Sequence, residues 1–592
     1  MPEKKKASRG ELILHGIGVS PGVAICEAVV LAHNSGAVPD YPIREEDIPL
    51  EITRFEESLI QTRHQIAEIQ DEVSKALGNE QAGIFDAHLL VVDDRYLIEE
   101  VICGLRKDFR NVEFIIHRVV ERYIEILSKV EDDYLRERAT DIHDVTRRII
   151  RNLVGEGVGQ VDQIDKPCVV VTHDLSPSDT ASMNRDLVMA FATDLGSTTS
   201  HASIMARALE IPAVVGVRNI SAQVATGETV LIDGGAGLVI IRPTSDRLLE
   251  YARKAEEHKT ILSELATLRD EPSETKDGVN IPLVANIELV SELKSIRQQG
   301  VKGIGLFRTE FLFLQNDLPS EEEQCAVYSE VADSCSPGRV VIRTLDMGGD
   351  KLSLGIPIDS DSNPFFGCRA IRYCLANPAL FKVQLRAILR ASIGRNIAVL
   401  YPMINGLDEV FEATRILEEC RQELLDEGVR LVEKIPVGVM IEIPSAALTA
   451  EKIAPHVDFF SIGTNDLIQY TMAVDRVDES VAHLYQPTNA AVLKLIHMVV
   501  QAGRVEEIPT AVCGQMAASP ELIPLLIGLG VDELSISPPS ILMIKDVIRN
   551  LHYSECVELA QIAMQTASAT EVLSLCRDLL AKRSPEILEL MS

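Results

Sequence analysis

The amino-acid sequence predicts an α/β protein made of an N-terminal α/β domain, an all-helical segment inserted into it, and a C-terminal (β/α)8 barrel. Three observations lead to this prediction. The chain has 592 residues, which is too long for a single hydrophobic core. Apolar residues recur at helical spacing between residues 44 and 153, with short β-type runs on either side. From residue 279 onward, eight strand-like runs alternate with helix-length segments.

The N-terminal half is predicted to fold as one interrupted domain. Residues 1–10 are a basic segment that we expect to be a disordered tail. Residues 11–40 and 154–243 carry the β-type runs and form the α/β domain. Residues 41–153 have the helical period throughout, as in the series Ile115, Val119, Tyr123 and Leu127, and therefore form the helical insertion.

The C-terminal half is predicted to be a parallel barrel. A polar helical stretch over residues 244–272 links it to the N-terminal half, and residues 273–592 form the barrel itself. Its length suits a (β/α)8 barrel. The eight strand-like runs are residues 281–286, 303–308, 340–343, 397–402, 437–442, 459–465, 510–513 and 534–537.

Composition excludes several classes of function. The formal net charge of −32 argues against a nucleic-acid partner, since backbone binding needs a basic face. No apolar stretch is long enough to span a membrane, and the N-terminus lacks the apolar core of a signal peptide. The eleven cysteines form an odd number without a Cys-X-X-Cys pair, which argues against disulfides and structural zinc. We therefore expect a cytoplasmic protein.

Groups capable of chemistry end many of the predicted barrel strands. In barrels of this kind the active site lies at the carboxyl ends of the strands. Side chains at those ends therefore converge on one mouth, although they are far apart in sequence. The residues concerned are Asn286, Arg308, Arg343, Glu442, Asn465, Asp466 and Cys513.

The arginines at these ends predict an anion site. A guanidinium carries five donors and a permanent charge, so half-burying it without an anion is costly. Arg308, Arg343 and Arg476 would form a clamp for a small polyanion, with Lys351 nearby. The alternative is ion pairing with carboxylates that are close in sequence, namely Glu310, Asp346 and Asp475.

Two carboxylates and one thiol complete the predicted mouth. Glu442 and Asp466 follow neighbouring strands and are hard oxygen ligands of the kind that Mg²⁺ accepts. The alternative for this pair is a set of salt bridges at the barrel rim. Cys513 could donate or accept a proton at the mouth, and its alternative is an ordinary buried core cysteine.

His201 is the candidate nucleophile of the N-terminal half. A polar turn places it at the start of an apolar-periodic helix, where free N–H groups and the helix dipole stabilise a phosphate. The same dipole favours a neutral ring that can attack phosphorus. The alternative is a capping or surface histidine. Hydroxyls that could donate to phosphoryl oxygens surround it, namely Thr198, Thr199, Ser200 and Ser203.

Five motifs extend these patterns. They are TSHASIMAR at 199–207, GIGLFRTEF at 303–311, RTLDMGGDK at 343–351, NPFFGCR at 363–369 and DFFSIGTNDLIQY at 458–470. In these motifs, and over essentially the whole chain from residue 11, the sequence resembles Enzyme I, the phosphoenolpyruvate-protein phosphotransferase family of the bacterial sugar phosphotransferase system.

The resemblance implies a reaction. His201, supported by Thr180 and Thr199, would take the phosphoryl group of phosphoenolpyruvate and pass it to a histidine of the carrier protein HPr. Cys513 would protonate the enolate and so release pyruvate, and Mg²⁺ would be held by Glu442 and Asp466. The implied substrate residues are Arg308, Arg343, Lys351, Arg369, Asn465, Asp466 and Arg476.

The resemblance also assigns the domains. The α/β domain would carry the phosphohistidine, the helical insertion would dock HPr, and the barrel would bind phosphoenolpyruvate and form the homodimer. The chain departs from the family pattern at Ser197, Thr198 and Gln515. Two alternatives stay open: a relative of pyruvate phosphate dikinase or phosphoenolpyruvate synthase that does not use ATP, and a regulatory phosphoacceptor that does not turn over.

Overall fold

The computed structural model divides the protein into two compact units, residues 1–257 and residues 258–591. It describes the chain apart from several short segments and one longer one. These are residues 1–9, 32–37, 78–83, 128–132, 156–163, 176–182, 185–186, 197–201, 204, 207–210, 314–317, 348–366, 477–480 and 592.

The first unit contains an eight-stranded mixed sheet with the order β1-β8-β7-β3-β4-β5-β6-β2. The central strands β3, β4, β5 and β6 run parallel, and the flanking strands pair antiparallel. The strands are β1 Leu12–His15, β2 Ile17–Ser20, β3 Val23–Val30, β4 Cys168–Thr172, β5 Val188–Thr193, β6 Ala213–Val215, β7 Thr229–Asp233 and β8 Leu238–Ile241.

Helices interrupt this sheet between β3 and β4, as the change of hydrophobic period predicts. They are α1 Ile48–Leu77, α2 Ile84–Val92, α3 Arg95–Asp108, α4 Val112–Leu127 and α5 Asp133–Val154. The start of α3 is fixed by Asp94, whose carboxylate accepts N–H groups of the first helical turn. A short helix, α6 Ile220–Gln223, lies between β6 and β7.

Both faces of the sheet are buried, which explains the nearly continuous apolar runs of its central strands. On one face, Phe191 and Val215 belong to a core that includes side chains of the helical insertion. On the other face, Val169 and Val214 belong to a second core. A long helix, α7 Ser245–Thr267, follows the sheet, and the two units divide within it.

The second unit is a closed barrel of eight parallel strands. The order around the barrel follows the chain, with β16 returning to β9. The strands are β9 Leu283–Ile287, β10 Ile304–Phe307, β11 Val340–Arg343, β12 Ile397–Tyr401, β13 Val437–Ile441, β14 Phe459–Ile462, β15 Thr510–Val512 and β16 Glu533–Ile536.

Helices alternate with these strands, and further helices follow the last strand. They are α8 Leu293–Gln298, α9 Glu321–Cys335, α10 Ile371–Ala376, α11 Pro378–Ala391, α12 Leu407–Asp426, α13 Pro444–Leu448, α14 Ala450–Ile453, α15 Thr464–Met472, α16 Ala490–Val505, α17 Ile523–Leu529, α18 Ile541–Asn550, α19 Tyr553–Gln565, α20 Ala569–Arg583 and α21 Pro585–Met591.

The predicted fold class is therefore confirmed: a mixed α/β unit with a helical insertion precedes a (β/α)8 barrel. One predicted strand is too long, because β14 ends at Ile462 and α15 begins at Thr464. Asn465 and Asp466 consequently lie in the first turn of a helix. Among the described residues, no helix is long and apolar enough to cross a membrane.

Candidate active site

A cavity of about 370 Å³ lies at the carboxyl ends of the barrel strands. Most of the predicted mouth residues line it, as expected for side chains that follow parallel strands. They are Arg308, Arg343, Arg369, Glu442, Asn465, Asp466, Arg476 and Cys513. Four other predicted site residues lie outside the described part of the chain: Thr180, Thr199, His201 and Lys351.

Arg343 is the most buried of the pocket cations. It ends β11, and its guanidinium lies 2.7 Å from Oε1 of Glu310 and 2.9 Å from Oδ2 of Asp346. Burial disfavours its charge, but these two carboxylates raise the pKa of Arg343 above its usual value. Arg343 thus forms the ion pairs that the sequence offered as the alternative to an anion site. Its Nε is nevertheless buried without a hydrogen-bond partner among the described residues.

Arg308 lies beside Arg343 and repels it. Burial and the charge of Arg343 together lower the pKa of Arg308. The charges of Glu310 and Asp346 oppose this effect. The guanidinium also pairs with Glu288, and the Nε of Arg308 has no partner in the described part of the chain. An anion placed between the two guanidinium groups would relieve this repulsion.

Asp346 and Arg369 link Arg343 to Asp466 in a continuous series of ion pairs. The sequence offered Asp346 only as an alternative ion-pair partner for the arginines, and its carboxylate also lies 2.9 Å from Nη2 of Arg369. Arg343 and Arg369 hold the pKa of Asp346 below its usual value, although burial opposes this. The same nitrogen of Arg369 lies 3.3 Å from Oδ2 of Asp466. No local pattern in the sequence indicated this bridge.

Glu442 follows β13 and is almost fully buried. Its Oε1 accepts the N–H of Met403 at 2.6 Å. Burial raises the pKa of Glu442 well above its usual value, and the carboxylates of Asp346 and Asp466 add to the effect. A side chain at Gly463 would collide with this carboxylate, because its Cβ would lie 2.7 Å from Oε2 of Glu442.

The donor set of Glu442 and Asp466 suits Mg²⁺, which commonly takes one or two carboxylates and completes its shell with water and substrate oxygens. No group of three or more metal-binding His, Cys, Asp or Glu side chains occurs in the described ranges. The formal charges of the lining residues also balance, since four arginines face four carboxylates: Arg308, Arg343, Arg369, Arg476, Asp346, Glu442, Asp466 and Asp475. A dication would give this neutral pocket the positive charge that a polyanion requires.

Asn465 ties two strand ends together through its amide. Its Oδ1 accepts the backbone N–H of Gln515 at 2.9 Å, which joins the start of α15 to the segment after β15. The side chain of Gln515 is exposed. Asn286 is similarly occupied, because its Nδ2 donates to the carbonyl oxygens of Cys513 and Ser535, each at 2.9 Å.

Cys513 follows β15, and its side chain lines the pocket although it is only 5% exposed. The Sγ–H donates to the carbonyl oxygen of Ile462 at 3.5 Å. Burial raises the pKa of the Cys513 thiol to about 11. The thiol is therefore protonated at neutral pH, as a proton donor must be and as a thiolate nucleophile is not.

A parallel barrel with paired arginines, paired carboxylates and a protonated thiol at its mouth defines a class of protein: an enzyme that acts on a small anion. Three family models match the chain. They are described as the N-terminal region, the mobile domain and the PEP-binding domain of PEP-utilising enzymes, and match residues 15–138, 164–237 and 263–553.

Curated relatives match nearly the full length. The phosphoenolpyruvate-protein phosphotransferase of Staphylococcus carnosus is 42% identical over 569 residues, or 95% of this chain and 98% of that protein. The protein of the same name from Listeria monocytogenes is 42% identical over 566 residues, with the same coverage. An NMR solution structure of an Enzyme I protein is 38% identical, covers 42% of this chain and 99% of that one, and has a TM-score of 0.36. The chain belongs to the phosphoenolpyruvate-protein phosphotransferase family of PEP-utilising enzymes.

Proposed function

We propose that this protein transfers the phosphoryl group of phosphoenolpyruvate to its own His201 and then to a histidine of a carrier protein of the HPr type, releasing pyruvate. The observation that supports this most strongly is the grouping of four arginines, four carboxylates and a protonated thiol in one pocket. The near full-length similarity to phosphoenolpyruvate-protein phosphotransferases favours it over a dikinase or synthase relative.

The arginines bind and orient the substrate. Arg308 and Arg343 repel each other, and the Nε–H donor of each has no partner among the residues that the structure describes, so they are suited to the oxygens of a phosphoryl group. Asn465, Arg369, Arg476 and Lys351 would hold the remainder of the anion. Glu442 and Asp466 would hold Mg²⁺, which supplies charge stabilisation for the phosphoryl oxygens.

The reaction replaces one bond to phosphorus by another. A ring nitrogen of His201 forms the new P–N bond while the P–O bond of phosphoenolpyruvate breaks, and the electron pair stays on the enolate oxygen. This requires His201 to come within about 3–3.5 Å of phosphorus. Thr180 and Thr199 would orient the ring.

Cys513 completes the conversion to pyruvate. Its thiol proton goes to the methylene carbon of the enolate, and the resulting thiolate takes a proton from solvent. The raised pKa suits this role, because the thiol keeps its proton until the enolate forms.

The finer assignments are part of the same proposal. Residues 41–153 would dock the carrier, residues 11–40 and 154–243 would form the phosphohistidine domain, and residues 273–592 would form the substrate barrel and the dimer. Residues 244–272 would link the two halves, after a disordered tail at residues 1–10. The reaction would be the first step of sugar uptake in the cytoplasm.

The departures from the family pattern differ in weight. Gln515 contacts Asn465 through its backbone and exposes its side chain, so this departure should alter turnover little. Ser197 and Thr198 lie outside the described residues.

Incubation with phosphoenolpyruvate labelled at phosphorus, with and without Mg²⁺, tests the proposal. We expect Mg²⁺-dependent, acid-labile label on a peptide containing His201, one pyruvate released per phosphoryl group, and transfer of the label to added HPr. Label on another residue, or none at all, would refute the assignment.

A further inference from the structure

A buried hydrogen-bond network lies behind the two arginines that follow or end β10 and β11. Thr309 comes directly after Arg308 and is fully buried. Its hydroxyl donates to the carbonyl oxygen of Arg343 at 3.0 Å. This bond joins the two arginine-bearing segments to each other at the level of the pocket.

Gln384, on α11, holds both segments from the outside of the barrel and is also fully buried. Its Oε1 accepts the N–H of Leu345 at 2.9 Å, two residues beyond Arg343. Its Nε2 donates to Oγ1 of Thr309 at 3.1 Å and to the hydroxyl of Tyr328 at 3.3 Å. This one amide therefore holds the chain just beyond both arginines, at Thr309 and at Leu345.

The outer part of the network does not touch these segments. The hydroxyl of Tyr328 donates to Oε1 of Gln324 at 3.0 Å, and Nε2 of Gln324 donates to the carbonyl oxygen of Pro319 at 3.0 Å. Gln324 is as buried as Gln384 and is the same residue type. The protein thus contains an inner amide that contacts the arginine segments and an outer amide that does not.

Gln384 is a polar residue on an otherwise apolar helix face. Its neighbours on the buried face of α11, Phe381, Leu385 and Ile388, are fully buried and apolar. An apolar side chain at position 384 would leave the buried N–H of Leu345 without its acceptor, so the amide contributes to stability as well. An apolar residue also could not hold Thr309 and Leu345, and with them the two strand ends, at a fixed spacing.

We infer that Gln384 and Thr309 are positioning residues that set the spacing of Arg308 and Arg343 for the phosphoryl group. The inference rests on the proposed function, in which these arginines bind that group. A misplacement of about 1 Å at a reacting centre can cost about 100-fold in rate, so loss of this network reaches the chemistry without any contact to substrate.

Four variants test the inner part of the network, with binding of phosphoenolpyruvate measured by calorimetry in Mg²⁺ and with kcat/KM measured separately. Thr309→Val keeps the shape of the residue and removes the hydroxyl, whereas Thr309→Ser keeps the hydroxyl. Gln384→Met keeps the length and removes the amide.

We expect Thr309→Val and Gln384→Met each to lower kcat/KM by about tenfold to 100-fold and to weaken the binding of phosphoenolpyruvate. Thr309→Ser should retain most of the wild-type kcat/KM and binding. Combining Thr309→Val with Gln384→Met should cost less than the product of the two losses, because both act on one network.

Matched controls separate positioning from stability. Gln324→Met removes the outer amide, and Thr510→Val alters a buried barrel threonine whose hydroxyl has no partner in the described part of the chain. Gln324→Met should lower the melting temperature as much as Gln384→Met yet leave binding and kcat/KM near those of the wild type. Thr510→Val should leave both the binding of phosphoenolpyruvate and kcat/KM unchanged. If Gln324→Met lost kcat/KM in proportion to its melting temperature, or if Thr309→Val bound and turned over normally, the positioning role would be overturned.

Failure of the proposed function has a different signature. A wild-type protein that binds phosphoenolpyruvate but transfers nothing to His201 would refute the function, while the binding constants of the variants would still decide the positioning role. A wild-type protein that binds no phosphoenolpyruvate would refute both.

Discussion

Nη2 of Arg369 lies 3.3 Å from Oδ2 of Asp466, one of the two proposed Mg²⁺ ligands. The same nitrogen lies 2.9 Å from Oδ1 of Asp346. Arg369 therefore supplies positive charge to the carboxylate cluster, which a dication would also supply. The guanidinium of Arg369 and a bound dication would therefore compete for the carboxylate of Asp466.

Removing this guanidinium should strengthen metal binding in the absence of substrate. Arg369→Met should tighten Mn²⁺ binding by about fivefold to tenfold, the equivalent of about 1 kcal/mol for one partly buried charge pair, as measured by electron paramagnetic resonance of free Mn²⁺. The variant should also bind phosphoenolpyruvate more weakly. Arg372→Met is the control, because it removes an arginine nearby that has no carboxylate partner in the described ranges. Unchanged Mn²⁺ binding in Arg369→Met would contradict this account.

Gly463 should be needed for the metal site because of space rather than backbone conformation. Its φ of −81° is open to any residue, but a Cβ would lie 2.7 Å from Oε2 of Glu442. Gly463→Ala should displace this carboxylate and raise the Mg²⁺ concentration needed for half-maximal activity by about tenfold or more. Gly406→Ala, at a glycine with open space around its Cβ position, should behave as the wild type. Equal behaviour of the two variants would show that Glu442 is not a ligand.

Cys513→Ala should slow turnover without a comparable loss of substrate binding. A proton donor acts after the P–O bond has broken, and such donors typically contribute about 10²–10⁴-fold. Rapid-quench measurement of label on His201, compared with the release of pyruvate, separates the two steps. Cys420→Ala, at a buried cysteine on α12, is the control. Normal pyruvate release by Cys513→Ala would return Cys513 to the role of a core residue.

The same thiol should leave a mark on stability at high pH. Its folded-state pKa of about 11 lies above the ordinary value of 9.0, so the folded state holds the proton more tightly than the unfolded state. This contribution is complete below pH 9 and is lost as pH rises through 11, with a total on the order of 3 kcal/mol. The difference in the free energy of unfolding between the wild type and Cys513→Ala, measured by denaturation, should therefore shrink between pH 9 and 11. A constant difference across this range would contradict the raised pKa.

His201→Ala should abolish labelling by phosphoenolpyruvate and leave the circular dichroism spectrum unchanged. The residue is the proposed nucleophile, so its removal should leave the phosphoryl group without an acceptor. His15→Ala, at an exposed histidine of β1, should label normally. Label that remains on His201→Ala would show that another residue is the acceptor.

Hydrophobic patterning was enough to predict the fold class and the chemical groups that follow the barrel strands. Hydrophobic period distinguishes helices from strands locally, and parallel strands bring their carboxyl ends to one rim whatever their separation in the chain. Arg308, Arg343, Glu442 and Cys513 could therefore be placed together before any contact was known. Arg369 came from family resemblance alone, since it follows no strand.

Which of these groups contact one another depends on the packing of the folded chain. The bridge from Asp346 through Arg369 to Asp466, and the bond from Gln384 to Thr309 across 75 positions, depend on side-chain direction and on the packing of helices against the barrel. Neither leaves a periodic signal, because periodicity records which face of an element is buried and not which atom lies opposite. The short approach of Gly463 to Glu442 is of the same kind: the sequence contains the glycine, and the fold supplies the carboxylate that requires it.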